Sequence, residues 1–122
     1  MILTAGEKRF EVSWEDNLAV LWLARHSPVE VVAEDYAGQE KVGRLHCALP
    51  ASVLESSTPN RVRVGELYLY GDRHVVLFYV SKPNRWGGYT RLGRVREASE
   101  VAGLRDSGRL RLGLVARPGG VA

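Results

Sequence analysis

Glu66-Leu67-Tyr68-Leu69-Tyr70-Gly71-Asp72-Arg73-His74-Val75-Val76-Leu77-Phe78-Tyr79-Val80 holds two strand-length runs on either side of a Gly-Asp turn. Neighbouring residues of a strand face opposite sides of its sheet, so Leu67 and Leu69 share one face and Tyr68 and Tyr70 the other. From Val75 to Val80 every side chain is apolar or aromatic. A strand of that kind is expected to be covered on both faces.

The β pattern extends in both directions. Downstream, a loop bounded by Pro83 and Gly87-Gly88 leads into a strand at Tyr89–Val95. Glu97 to Asp106 predicts a helix that stops at Ser107-Gly108. Leu110, Leu112 and Leu114 then alternate with Arg109, Arg111 and Gly113 as a last strand. Upstream, Arg61–Val64, Lys41–Cys47 and Val29–Glu34 read as strands, and Pro50–Leu54 as one helical turn opened by proline. Ile2-Leu3-Thr4 and Lys8–Val12 predict a hairpin. A helix over Leu18–His26 follows, capped by Asp16 or Asn17, with Leu18, Leu21, Trp22 and Arg25 on its apolar face. Ser27-Pro28 ends it, because proline lacks the amide a helix needs. The prediction is a mainly β fold, a closed antiparallel barrel of about eight strands with two helices at its ends.

With 122 residues, the chain suits one domain and one core. Residues 1–117 are expected to form it, with 118–122 as a flexible tail and Glu55–Asn60 as a flexible internal loop. Hydrophobic residues at 45% and charged residues at 25% are globular proportions. No apolar run reaches the ~20 residues that span a bilayer. No signal-peptide pattern opens the chain, and Cys47 is the only cysteine. A cytoplasmic protein without disulfides or membrane contact is the expectation.

Charge is uneven. Residues 1–60 carry five basic and nine acidic side chains, and residues 61–122 carry twelve basic and five acidic. The arginines are scattered along alternating strands, with no helix-turn-helix, zinc finger or RNA-binding sheet signature beside them. No nucleic-acid partner is therefore expected.

Motifs for chemistry are sparse. His26, His46, Cys47 and His74 lack metal-ligand spacing, so no metal is expected. Cys47 is expected to be a buried structural thiol, although His74 can approach it across strands. There is no Gly-x-Ser-x-Gly elbow and no phosphate-binding glycine loop, and no cofactor is expected. Glu15-Asp16 opens a helix and Glu34-Asp35 leads into a turn, so neither carboxylate pair needs a catalytic role. The aromatic residues around the Pro83–Gly88 loop are the one cluster suited to a ligand.

Three segments carry a family resemblance: Val64-Gly65-Glu66-Leu67-Tyr68, Val75 through Pro83, and Leu92-Gly93-Arg94-Val95. In order and motif they resemble the small cyclophilin-like domains of bacteria and archaea, single barrels mostly of unassigned function. A weaker likeness reaches true cyclophilins, which are peptidyl-prolyl isomerases. There Leu77-Phe78-Tyr79-Val80 is similar to a Gln-Phe-Phe-Ile strand. Trp86 falls at the groove tryptophan, Tyr79 at a groove phenylalanine and Tyr89 at a groove histidine. The Phe-His-Arg motif that carries the catalytic arginine is missing, and Tyr36–Arg44 occupies that region.

Together with the aromatic cluster around the Pro83–Gly88 loop and the missing arginine motif, the resemblance leads to the expectation of a noncatalytic domain that binds a peptide or small molecule in a groove. Tyr79, Trp86 and Tyr89 line it, and Arg73 and Arg91 form polar edges. The alternative it implies is a weak peptidyl-prolyl isomerase. A homodimer built on exposed aromatics such as Trp22 or Tyr70 is a third possibility.

Overall fold

The structure, a computed structural model, describes residues 1–116, so the expected tail at 118–122 lies outside the described residues. The strands are β1 (Ile2–Ala5), β2 (Lys8–Phe10), β3 (Val12–Trp14), β4 (Val29–Tyr36), β5 (Glu40–Arg44), β6 (Arg61–Val62), β7 (Glu66–Tyr70), β8 (His74–Phe78), β9 (Lys82–Pro83), β10 (Tyr89–Val95) and β11 (Leu110–Val115). Nine of them form one antiparallel sheet in the order β2-β1-β11-β4-β5-β8-β7-β10-β3. The two ends of that order are consecutive in the chain, separated only by Glu11. One bent strand thus pairs with β1 through its first half and with β10 through its second. The sheet curls into a nearly closed barrel and leaves almost no free edge for another chain to join.

Alternation sorts the side chains as expected. Leu67, Leu69, Val75 and Leu77 join Leu3, Phe10, Val12, Leu92 and Leu112 in the interior core. Tyr68, Val76 and Phe78 point outward and form a second cluster with Val62 and Tyr89. Covering that outer cluster is the short ribbon of β6 paired with β9, and Val62 is fully buried beneath it. Most of both faces of β7 and β8 is therefore out of water, which is why Leu67–Leu69 and Val75–Phe78 are apolar or aromatic. Tyr68 meets Phe78 and Tyr89 edge-on, at ring-centroid distances of 5.8 and 5.4 Å. Each such pair adds about 1 kcal/mol beyond its buried area.

The helix α1 (Leu18–Arg25) is capped by Asn17, whose side chain accepts a hydrogen bond from the Val20 amide at 2.9 Å. Its buried face differs from the expected one. Ala19 and Leu23 face the core, whereas Leu18 and Leu21 are 58% and 45% exposed. The Asn17 amide fixes this phase by donating to the Arg91 carbonyl at 2.8 Å. The second helical segment is shorter and tighter than expected, a turn of α-helix, α2 (Ala98–Val101), running into 3-10 helix at Ala102–Ser107. Glu55–Asn60 is tied down on both sides. Ser57 exchanges backbone hydrogen bonds with Tyr89, and Pro59 accepts from the Asn84 side chain. Cys47 is exposed rather than buried, because the chain leaves the sheet after Arg44.

Barrel closure depends on a close approach at Gly93, which pairs with Trp14. A Cβ there would lie 2.5 Å from the Ser13 carbonyl oxygen and 2.9 Å from Val12 Cγ1. Gly93→Ala should therefore cost about 2 kcal/mol in denaturant unfolding, the usual penalty of forced overpacking. Gly103→Ala, where an added Cβ meets nothing within 4 Å, should be neutral or mildly stabilising.

Candidate functional site

A cleft of about 390 Å³ opens on the outer face of the barrel, where β5, β7, β8 and β10 run side by side. Its apolar floor is Val42, Val76 and Tyr89. Register explains the grouping. Val42 pairs with Val76 across β5 and β8, and Tyr70 pairs with both His74 and Tyr89. Around the floor stand Tyr36, Tyr70 and Trp86, which are 64%, 44% and 61% exposed. The Tyr70 and Tyr89 rings lie 5.0 Å apart.

Trp86 is held over the cleft by its loop rather than by packing. The Asn84 amide donates to the Trp86 carbonyl at 2.9 Å and to Pro59 at 2.7 Å. Beyond it, Gly88 has φ of +87°, a conformation that favours glycine, and its carbonyl accepts from Gly71 at 2.8 Å. The Arg85 guanidinium sits 5.8 Å from the indole ring. Side chains of this kind, rigid, aromatic and exposed, suit ligand contact.

Three polar groups complete the lining. His74 stands beside Tyr70, and Lys82 and Glu40 stand nearer the β4–β5 turn. Lys82 is engaged, with its ammonium donating to Gln39 Oε1 and lying 5.9 Å from the centre of the Phe78 ring. Glu40 is 8% exposed. Burial pushes its carboxyl above the ordinary glutamate range, and the charge of Lys82 opposes that rise. Tyr89 is pushed up to about 12 by burial first and by Glu40 next.

Of the five residues expected to line a groove, the structure brings Trp86 and Tyr89 together in this cleft. Tyr79 belongs to the barrel interior instead. It shares the parity of Leu77, so the strand turns it inward. Arg73 pairs with its neighbour Asp72 at 3.5 Å. Arg91 bridges Glu66 at 3.0 Å and Glu15 at 2.8 Å. Neither arginine lines the cleft. The lining residues missed from the sequence are Tyr36, Glu40, Val42, Tyr70, His74, Val76 and Lys82. Equal parity linked Glu40 to Val42 and His74 to Val76, but nothing local said that β5 and β8 pair.

A second polar cluster plugs the other side of this wall. Lys41 is completely buried, with its ammonium donating to the Gly108 carbonyl at 2.8 Å and standing 3.5 Å from Asp35 Oδ1. Tyr79 donates its hydroxyl to the same carboxylate, and the Gly38 amide donates to Oδ2 at 3.0 Å. The Tyr79 bond is the main cause that holds Asp35 below the usual carboxylate value, with Gly38 and Lys41 adding to it against burial. Tyr79 is itself pushed up to about 12, by burial and then by Asp35. The cluster is satisfied, with Lys41 wholly buried and Asp35 at the surface, which fits a structural role: it ties β4, β5 and the chain after β8 to the segment ending at Gly108. Among the described residues no group of three or more His, Cys, Asp or Glu is placed to hold a metal ion. Among the described residues no helix is long and apolar enough to cross a membrane.

A model of the family described as "Cyclophilin-like family" matches residues 3–113. No curated protein matches the chain, and neither does any solved structure.

Two titrations check these assignments. Asp35 is more acidic folded than unfolded, so its contribution to stability is present above its ordinary value of 3.8 and is lost as pH falls below it. Asp35→Asn should lower Tm at neutral pH and flatten the acid limb of the Tm-against-pH curve. For Tyr79 and Tyr89 the sign reverses. Their contribution is complete below the ordinary 10.0 and is lost as pH rises toward about 12. Tyrosinate absorbance should show both ionising late, and Tyr79→Phe and Tyr89→Phe should each remove one late step.

Proposed function

The chain belongs to the cyclophilin-like family, and on that premise we propose that its outer cleft binds a peptide or small molecule without carrying out chemistry on it. The observation that carries this reading is the rim of exposed aromatic rings over a buried apolar floor, with Trp86 presented by a hydrogen-bonded loop. Its volume of about 390 Å³ lies within the usual range of ligand sites, roughly 300–1,000 Å³. Exposed rings gathered around one opening, rather than scattered singly, are the kind of surface that marks an interaction site.

Prolyl isomerisation is the second reading, favoured by Trp86, which lines the cleft and which the sequence resemblance aligns with the groove tryptophan of true cyclophilins. Twisting the imide demands a donor aimed at it, because the barrier of about 18–20 kcal/mol comes from lost amide resonance. No arginine is among the lining residues, and the Lys82 ammonium is already engaged by Gln39. Binding without catalysis is therefore the better-supported reading.

Titration of a mixed peptide and fragment set, followed by amide and indole NMR signals, should shift Tyr70, His74 and Trp86 together. Trp86→Ala should weaken any such ligand about tenfold or more, the loss typical of a central aromatic anchor. Shifts scattered over the barrel, or unchanged by Trp86→Ala, would remove the cleft from consideration. A protease-coupled proline isomerisation assay should show no acceleration. Acceleration abolished by Trp86→Ala would install the isomerase reading instead.

A further inference from the structure

We infer that the cleft selects a cationic head group, an ammonium or guanidinium on an apolar stem, with Glu40 as its counter-ion. This rests on the reading of the cleft as a ligand site and names the chemistry of what enters it. The geometry that points there is an asymmetry between its two charged side chains. Lys82 is engaged within the protein, by the Gln39 side-chain carbonyl and the Phe78 ring. Glu40 is 8% exposed overall, and among the described residues its carboxylate has neither a hydrogen-bond donor nor an ion-pair partner within 4.0 Å; its oxygens are not sealed off, and Glu40 lines the cleft.

A carboxylate on a largely buried side chain, reached from one side only, gains more from a charged donor than one in open water does. A ligand's donor has a route to it, because Glu40 lines the cleft itself. The same opening carries the Tyr36, Tyr70, Tyr89 and Trp86 rings. Aromatic faces present negative potential and attract a cation, more so where water is thinned out. Rings with one carboxylate are the chemistry that recognises a positive head group and its methylene stem. An anion would meet the same rings and a buried negative charge, and only an ammonium already committed elsewhere. Lys82 opposes a cationic ligand and His74 stands across the floor, so removing the Lys82 charge should help rather than hinder.

Such a head group can arrive on a basic side chain of a peptide or on a free amine. The probes that separate these are butylguanidinium, butylammonium, neutral butylurea and acetyl-arginine methylamide, titrated at millimolar concentration and followed by the Trp86 indole signal and by the backbone amide signals of Glu40, Tyr70 and His74, which also report in Trp86→Ala. The wild-type protein should bind the cations more tightly than butylurea. Glu40→Gln keeps the shape and should weaken the cations about tenfold while leaving butylurea unchanged, the loss expected for one charge-assisted hydrogen bond. Lys82→Gln should tighten them. Tighter binding of acetyl-arginine methylamide than of butylguanidinium assigns the peptide as source, and equal binding assigns a free amine. Either supports the inference.

Equal affinity of wild type and Glu40→Gln for the cations overturns it, as does weaker binding by Lys82→Gln. If Trp86→Ala still abolishes butylurea binding in those cases, the cleft remains a ligand site of another class. If no probe moves the indole signal and Trp86→Ala changes nothing, the cleft reading itself fails. Unchanged Tm and amide dispersion in Glu40→Gln keep these outcomes separate from misfolding.

Discussion

The barrel depends on one bent strand. The segment from Lys8 to Trp14 pairs with β1 before Glu11 and with β10 after it, so it joins both ends of an otherwise open sheet. The corner is held by the Arg96 amide, which donates to the Glu11 carbonyl at 2.9 Å, and the pairing with β10 is extended by the Glu15 amide donating to Leu92 at 2.9 Å. Closure is possible because Gly93 lets the backbones approach where a Cβ would collide. One extra residue, Leu92, lies in a register shift on the same strand. Irregularity of this kind bends a strand and turns a sheet toward closure.

Closing a sheet gives it one enclosed face, and this protein covers part of the outer face as well. The β6–β9 ribbon buries Val62 against Tyr68, Val76, Phe78 and Tyr89. Where the ribbon stops, the same outer surface continues as the cleft, and Tyr89 belongs to both. The floor is thus packed as part of the outer cluster, while the rim rests on a loop fixed by Asn84 and Gly88. A packed floor under a rim held by hydrogen bonds reduces the ordering that binding demands.

The two sides of β5 carry opposite electrostatic solutions. Lys41 turns inward and finds Asp35, Gly108 and the Tyr79 ring, so a fully buried cation is paired and hydrogen-bonded. Glu40, its neighbour, turns outward and is left to the cleft. A buried charge with its partners in place costs far less than one without them, and Glu40 avoids the second case because its oxygens are not sealed from solvent. The contrast between adjacent residues separates a group that holds the fold from one available to a ligand.

The amino-acid sequence determined the strands, their two faces and the barrel class, because alternation has a period of two and can be seen within five residues. It also determined that Trp86 and Tyr89 flank a tight loop at one end of β10. The tertiary structure alone decided that Tyr79 leaves them for the interior, that Arg73 and Arg91 are spent on carboxylates, and that Ala19 rather than Leu18 faces the core. It alone brought Tyr36, Glu40, Tyr70 and Lys82 around one opening. Those four come from different strands or their ends. Their meeting depends on which strands pair and in what register, and local side-chain pattern carries no record of that non-local choice.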